Sequence, residues 1–270
     1  MSIKSMPIWK WALLLLAGFV LSFLMYALAQ TFTDFIGLRW LQLAAYIVVS
    51  GVMLGLYALF VKWFEKVPAG DIPAGRILPE TLKGLGLGAG YFCVLVLIMF
   101  AARLYKIDAF GCADPFTLIL AFFMFLMVAV GEEIIFRGVL FRWIDEKWGF
   151  AVALIVSSLL FGLMHIFQPG ATMWSSIAIA VEAGLLLGAA YKYSGTLWLP
   201  IGIHWGWNFF QGNIFGFAVS GGDAGSSLIH PSVQGPVILT GGAFGAEASV
   251  IAMVLGVLLS VWFIVKVAKR

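Results

Sequence analysis

The sequence predicts an all-α protein that crosses a membrane several times. Hydrophobic residues make up 63% of its 270 residues and charged residues only 11%, a composition that soluble domains do not have. The apolar residues gather in long runs, each close to the roughly 20 residues that a helix needs to span a bilayer. About eight such runs occupy the whole chain, so we expect a single polytopic transmembrane helix bundle, 1–270, without a separate soluble domain.

Eight apolar runs follow one another with mostly short connections. In chain order they cover Trp11–Ala29, Trp40–Trp63, Leu85–Ala102, Phe116–Arg142, Phe150–Phe167, Met173–Tyr191, Leu197–Phe217 and Ala248–Val267. Prolines break the pattern after the second run, and a stretch rich in Gly and Ser, about 218–246, predicts an irregular external loop before the eighth.

The first run also has features of a cleavable signal peptide. Lys4 and Lys10 precede it, and a triplet of small and apolar residues ends at Ala29. The run is longer than the roughly 7 to 15 apolar residues usual in signal peptides. We therefore expect it to remain as the first transmembrane helix, and an N-terminus found at Gln30 would contradict this.

Basic residues predict the orientation, because cytoplasmic connections carry an excess of Lys and Arg. Of the 16 basic residues, only Arg39, Arg103 and Lys106 fall on one side, and the others lie at the termini or in connections on the opposite side. Both termini are therefore expected in the cytoplasm. A net charge of +3 without a basic patch argues against nucleic acid as a partner.

Three ionisable residues lie inside the fourth run. A charge at the bilayer centre costs roughly 2.5 to 3.5 kcal/mol on insertion scales, so Glu132, Glu133 and Arg137 indicate partners within the bundle or a water-filled cavity. Residues four apart share a helix face, so Glu133 and Arg137 are expected to pair, while Glu132 points about 100° away and is free to face a cavity. The alternative is that all three form only a structural ion pair and helix cap.

Two histidines on later runs are candidate partners for Glu132. The turn after the fourth run lies about 15 residues beyond Glu132 and about 17 before His165, which places both at similar depth in an antiparallel pair. On the seventh run, His204 and Asn208 share one helix face. His204 reaches the same depth only if its helix is short or tilted. The alternative role for these side chains is to join helices through hydrogen bonds.

Glu182 lies midway along the sixth run and needs a partner there. We expect this side chain to be protonated or hydrogen-bonded and to line the same cavity as a supporting residue.

A carboxylate, two imidazoles and an amide in one cavity suit peptide hydrolysis. Glu132 with His165 can activate a water as general base, while His204 and Asn208 stabilise the oxyanion. In a second version, His165 and His204 bind a divalent metal such as zinc, together with Glu132 or Asn208. The sequence lacks the HExxH, GxGD and GxSG motifs of other protease types.

Three motifs carry a resemblance to a known family. They are EExxxR at Glu132–Arg137, FxxxH at Phe161–His165 and HxxxN at His204–Asn208, in this order. Over about 116–210 the sequence resembles the CPBP intramembrane metalloprotease family, which includes the CAAX prenyl endopeptidases and the bacterial Abi-type proteins.

The resemblance implies an eight-helix fold with a glutamate-dependent protease site. Glu132 would match the catalytic glutamate and His165 its partner, with His204 and Asn208 completing the site. Glu133 and Arg137 would match the supporting pair. The resemblance leaves open whether a metal is required.

We therefore predict an intramembrane endopeptidase that acts on a peptide or membrane-protein substrate, in the plasma (inner) membrane of a bacterium. Two other classes remain. A non-catalytic membrane scaffold or immunity protein would use the same bundle to bind a partner. An ion-coupled transporter would use Glu132, Glu133, His165 and Glu182 as a relay, although the duplicated halves that many transporters display are not apparent.

Overall fold

The computed structural model describes residues 3–66, 68–112 and 114–269, most of which are helical. Arg270, one of the basic residues counted for the orientation, lies outside the described residues. The long helices are α1 (Ile8–Asp34), α2 (Arg39–Glu65), α3 (Ile77–Ala101), α4 (Pro115–Trp148), α5 (Phe150–Phe167), α6 (Met173–Ser194), α7 (Trp198–Phe209, continued by a π-helical turn, Phe210–Ile214) and α8 (Val250–Ala268). The predicted all-α bundle is confirmed.

Within the described part of the chain, seven of these helices are long and apolar enough to cross a membrane. The seventh predicted run forms the shorter helix α7, with 12 α-helical and five π-helical residues. Every residue from Trp198 to Asn208 is buried, so α7 lies inside the bundle with the other helices around it. The expectation of eight helices is met, with seven rather than eight of them having the length and hydropathy of a full span.

The outer faces of the bundle are apolar. Large hydrophobic side chains are exposed along the peripheral helices, among them Leu13 and Leu16 of α1, Val48 of α2 and Leu258 of α8. A water-soluble protein rarely exposes apolar surface on this scale. Together with the seven apolar helices, this surface identifies an integral, multi-pass membrane protein.

Three helices contain π-helical segments close to the predicted site residues. In α4 the segment Ile134–Phe141 begins directly after Glu133, in α6 it is Ala180–Gly184, and in α7 it follows the His204 motif as Phe210–Ile214. Such segments shift the side chains that follow them around the helix axis, and they are frequent at functional sites.

A short sheet closes the end of the bundle that we expect to be external. Strands β1 (Tyr105–Phe110) and β2 (Ile229–Val233) pair in antiparallel fashion, and the Tyr105 hydroxyl donates to the Phe215 carbonyl oxygen at 2.8 Å. The sequence predicts only an irregular loop over 218–246, which also contains a helical turn, Val237–Thr240. The difference arises because hydropathy does not report pairing between two distant connections.

The opposite end of the bundle is fixed by buried polar contacts. Asp71, between α2 and α3, accepts hydrogen bonds from the Tyr57 and Tyr191 hydroxyls at 2.6 and 3.1 Å. Arg142 donates two hydrogen bonds to Glu65, at 2.6 and 2.5 Å. These contacts lie at the end of the bundle where the connections are rich in basic residues. Successive helices run in alternate directions, so these connections are expected at the same end.

Glycines let α3 and α7 cross at close range. A Cβ atom at Gly88 would lie 2.2 Å from the Ile203 carbonyl oxygen, and one at Gly206 would lie 2.4 Å from that of Leu85. Gly84 and Gly202 make equally close approaches at the same crossing. The absence of side chains at these positions therefore sets the position of α7 and, with it, that of His204.

Candidate active site

Glu133 lies at the centre of the site and joins α4 to α7. Its Oε1 accepts a hydrogen bond from Nη1 of Arg137 at 2.8 Å and lies 2.9 Å from Nδ1 of His204. Neither Glu133 nor Arg137 has exposed side-chain surface. An ionised carboxylate only accepts hydrogen bonds, so His204 donates through Nδ1 and leaves its Nε2 available. The ion pair expected from the four-residue spacing is present.

Arg137 holds α4 against α5 and α6. Its Nη2 donates to the Gly184 carbonyl oxygen at 3.2 Å, and its guanidinium carbon lies 4.6 Å from the centre of the Phe161 ring. A cation over an aromatic face is favourable, more so away from water. Phe161, the first residue of the FxxxH motif, therefore contacts Arg137, the last residue of the EExxxR motif.

Glu132 faces a cavity of about 390 Å³. Its Oε1 accepts a hydrogen bond from the Tyr26 hydroxyl at 3.3 Å. Its Oε2 is buried, has no hydrogen-bond partner among the described residues, and lies 3.8 Å from Nε2 of His204. His165 lines the same cavity. One carboxylate oxygen is thus held while the other is free to accept a proton.

His165 ends the α-helical part of α5 and lies beside Glu132 in the cavity. Its Nδ1 is 2.7 Å from the Phe161 carbonyl oxygen. A carbonyl oxygen can only accept, so Nδ1 carries the proton and the neutral ring keeps Nε2 as an acceptor. The structure thus brings His165 to the depth of Glu132, where the hairpin geometry places it.

A second, smaller cavity lies next to the histidines. It has a volume of about 20 Å³, and its lining includes His165, His204, Asn208 and Glu247. A space of this size holds about one water molecule. Asn208 lies one turn after His204 on α7 and is buried, so the shared helix face predicted for these two residues borders this cavity.

Glu247 is a residue of the site that the sequence does not indicate. It lies in the loop before α8 and is 2% exposed. Its Oε2 accepts a hydrogen bond from Nε1 of Trp207 at 3.3 Å, and its Oε1 accepts one from the Ser220 backbone N–H. Burial raises the pKa of this carboxyl to about 7. An acidic residue in a Gly-rich connection resembles a solvated one, and only its small apolar neighbours, Ala246 and Ala248, hint at burial.

Glu182 lies apart from the two cavities at the histidines, and its role as a supporting residue stays a prediction. Its Oε2 accepts a hydrogen bond from the Tyr91 hydroxyl at 3.1 Å, and its backbone packs against Gly256 of α8. It is therefore hydrogen-bonded, as expected, but it belongs to neither of the two cavities at the histidines. The next residue, Ala183, borders the smaller cavity instead, and the rotation of about 100° per residue turns Glu182 toward α3 and α8.

The donor set differs from what a catalytic metal needs. A catalytic zinc site needs three protein ligands, each about 2 Å from the ion. Across residues 3–66, 68–112 and 114–269, no three His, Cys, Asp or Glu side chains converge in this way. The residues present do not fit a zinc site in this arrangement.

Comparison with known proteins supports the resemblance seen in the motifs. Residues 114–210 match the family model described as type II CAAX prenyl endopeptidase Rce1-like. The matched stretch contains all three motifs, so similarity to the CAAX-type intramembrane proteases is confirmed over this part of the chain. No curated protein matches the sequence. Tyr26 and Glu247 lie outside the matched stretch.

Proposed function

We propose that the protein is an intramembrane endopeptidase in which Glu132 activates the attacking water. The observation that carries this proposal is the arrangement of the Glu132 carboxylate. One oxygen is hydrogen-bonded to Tyr26, while the other is buried without a partner among the described residues, 3.8 Å from Nε2 of His204. A carboxylate in this position at the wall of a cavity is suited to take a proton from water.

The hydrolysis proceeds in two steps. In the first, Glu132 Oε2 accepts a proton from water as the water oxygen bonds to the carbonyl carbon, and the carbonyl π electrons move to its oxygen. In the second, the tetrahedral intermediate collapses, the C–N bond breaks, and Glu132 returns the proton to the leaving amine. The carboxylate is regenerated, and the products are a carboxylic acid and an amine.

The histidines and the amide act on the charge that develops in the first step. His165 presents Nε2 to the cavity and helps to orient the water. We propose that His204 and Asn208 stabilise the oxyanion, and donors of this kind typically contribute about 10²- to 10³-fold in rate. Glu133 supports this role because its Oε1, 2.9 Å from Nδ1, holds the His204 ring in place.

A metal-free mechanism is the version we favour. The reason is the ligand count, since the described residues bring no group of three His, Cys, Asp or Glu side chains together around a metal position. The alternative, in which His165 and His204 bind zinc with Glu132 or Asn208, would require these side chains to rearrange around the ion.

The substrate we propose is a peptide or the membrane-proximal part of a membrane protein. The cavity at Glu132 is lined by apolar residues of α1 and α4, such as Phe23 and Ile135, beside the polar ones. Such a wall suits a chain with apolar side chains or an attached lipid. We place the protein in the plasma (inner) membrane of a bacterium.

The first prediction concerns Glu132→Gln. We expect purified wild-type protein in detergent to cut members of a quenched-fluorescent peptide library that includes peptides with a prenylated C-terminal cysteine motif. Glu132→Gln keeps the shape of the side chain but cannot accept the proton, so kcat is expected to fall at least about 10³-fold. In the metal-free mechanism, o-phenanthroline leaves the wild-type rate unchanged.

A matched variant guards against effects on folding. Glu146→Gln changes a carboxylate near the end of α4, about four helical turns from Glu132, and is expected to cut like the wild type. Equal cleavage by wild type and Glu132→Gln would reject the protease. Loss of wild-type activity in o-phenanthroline, restored by added zinc, would reject the metal-free version alone.

A further inference from the structure

The first helix contributes directly to the candidate site. Tyr26 is buried, and its hydroxyl donates to Oε1 of Glu132 at 3.3 Å. The hydroxyl itself accepts a hydrogen bond from Nε2 of Gln30 at 2.8 Å. The hydrogen bond from Gln30 determines where the tyrosine proton points. The hydroxyl oxygen accepts from Gln30, so its own proton is directed at the Glu132 carboxylate.

Backbone packing holds the tyrosine ring in place. Gly131 precedes Glu132, and a Cβ atom at this position would lie 2.3 Å from Cδ2 of Tyr26. The ring therefore lies directly on the α4 backbone, where any side chain at Gly131 would displace it. Tyr26 is held from both sides, by Gln30 on its own helix and by the surface of α4.

One face of α1 forms a wall of the 390 Å³ cavity. Phe23, Tyr26, Ala27 and Gln30 follow the spacing of a single helical face and all line the cavity. Met164 and His165 line it from α5. A substrate bound at Glu132 would therefore contact α1, although this helix precedes the matched stretch 114–210.

We propose that Tyr26 is a positioning residue of the protease site, which holds one oxygen of Glu132 so that the other is directed toward His204. This role rests on the proposed function. A carboxylate turns easily about its last bond, so its plane would take a broad range of orientations if neither oxygen were held. The hydrogen bond from Tyr26 fixes the plane in which the second oxygen, Oε2, lies 3.8 Å from Nε2 of His204.

The test compares Tyr26→Phe with Tyr105→Phe. Tyr26→Phe keeps the ring on Gly131 and removes only the hydroxyl, so kcat on the peptide that the wild type cuts fastest is expected to fall about tenfold or more while KM changes little. Tyr105→Phe removes another buried tyrosine hydroxyl, which donates to the Phe215 backbone carbonyl just after α7, and should leave kcat within about twofold. An unchanged kcat for Tyr26→Phe, or an effect confined to KM, would overturn the proposal.

A second measurement does not depend on cleavage. Dicyclohexylcarbodiimide modifies carboxyl groups in apolar surroundings, and the Tyr26 hydroxyl occupies one oxygen of Glu132. We expect the modification of Glu132, followed by mass spectrometry of the intact protein and its peptides, to be several-fold faster in Tyr26→Phe than in wild type or Tyr105→Phe. Equal rates in all three proteins would show that Tyr26 does not hold the carboxylate.

The two measurements separate failure of this proposal from failure of the proposed function. If Glu132→Gln cuts as well as wild type, the protease is rejected and the positioning role in catalysis falls with it, while the labelling rates still decide whether Tyr26 binds Glu132. If Glu132→Gln is inactive and Tyr26→Phe is fully active, the protease stands and the role of Tyr26 is rejected.

Discussion

Buried carboxylates in this protein are held in different ways, and the difference indicates their roles. One oxygen of Glu133 is paired with Arg137 and His204, and its second oxygen has no partner among the described residues. Glu132 has one oxygen held by Tyr26 and one oxygen unpartnered among the described residues. Glu247 accepts only neutral donors, so burial outweighs its hydrogen bonds and raises its pKa to about 7. Glu132 differs from Glu133 in that it lines the cavity of about 390 Å³ beside His165, and it is the carboxylate that we assign to catalysis.

The raised pKa of Glu247 predicts how the free energy of unfolding depends on pH. Because its pKa is raised in the folded protein from the ordinary value of 4.5 to about 7, the folded state binds the proton more tightly than the unfolded state. The resulting stabilisation is complete below about pH 4.5 and is lost as the pH rises through 7, a change of about 3 kcal/mol in the free energy of unfolding. The midpoint of thermal unfolding in detergent should therefore be lower at pH 8 than at pH 5.5.

The matched variant is Glu247→Gln, which cannot ionise. Its unfolding midpoint should change distinctly less between pH 5.5 and pH 8 than that of wild type. An equal pH dependence in both proteins would show that another group carries it.

Charge in an apolar run is the signal that makes part of the site predictable. Glu132, Glu133 and Arg137 stand out because lipid disfavours them, and helix spacing then gives their relative directions. Tyr26 gives no such signal, since tyrosine is common in membrane helices. The direction of Glu182 is not predictable in this way, because hydropathy locates a residue along a helix and does not say which neighbour its face meets.

At the scale of the helices, the crossing of α3 and α7 determines where His204 lies. Gly88 meets the Ile203 carbonyl oxygen so closely that even a methyl group requires the helices to separate. Gly90 lies on another face of the same helix, where an added methyl group would meet nothing within 4 Å. The two glycines therefore differ only in what they face.

We predict opposite outcomes for Gly88→Ala and Gly90→Ala. Gly88→Ala is expected to destabilise the protein by about 1 to 3 kcal/mol, because overpacking forces the backbones apart, and to lower cleavage by displacing His204. Gly90→Ala should be neutral or raise stability by up to about 1 kcal/mol through helix propensity. Unfolding midpoints of the two variants provide the measurement, and equal midpoints would contradict the close crossing.

The order of the helices is predictable from the sequence, whereas their ends and irregular turns are not. Long apolar runs give α1 to α8 in sequence, because each must satisfy its backbone hydrogen bonds within lipid. The shortness of α7, the π-helical segments and the pairing of β1 with β2 depend on contacts between distant parts of the chain. The sequence of a segment such as Ile134–Phe141 contains no local pattern that predicts these features.

At the scale of the whole molecule, the two ends of the bundle differ in chemistry. One end gathers Asp71, Glu65 and Arg142 in a buried polar cluster, and the other is closed by the sheet. The excess of basic residues predicts that the first end is cytoplasmic. Cys112, in the connection between β1 and α4, then lies on the external side and is partly exposed.

We predict that a membrane-impermeant maleimide labels Cys112 in intact spheroplasts of an expression host. The labelled band should disappear in Cys112→Ser, because the remaining cysteine, Cys93, lies within α3. Labelling of Cys112 only in inside-out vesicles would reverse the orientation and place both termini outside.

The placement of Tyr26 and Gln30 on α1 has a consequence for biosynthesis. A leader peptidase that cut after Ala29 would release the segment that carries Tyr26. The cavity would also lose the wall formed by Phe23 and Ala27. Such processing matures many exported proteins, but here it would remove part of the candidate site. Shortening the first apolar run to the length of a signal peptide is therefore expected to favour cleavage and to open the cavity on the side of α1.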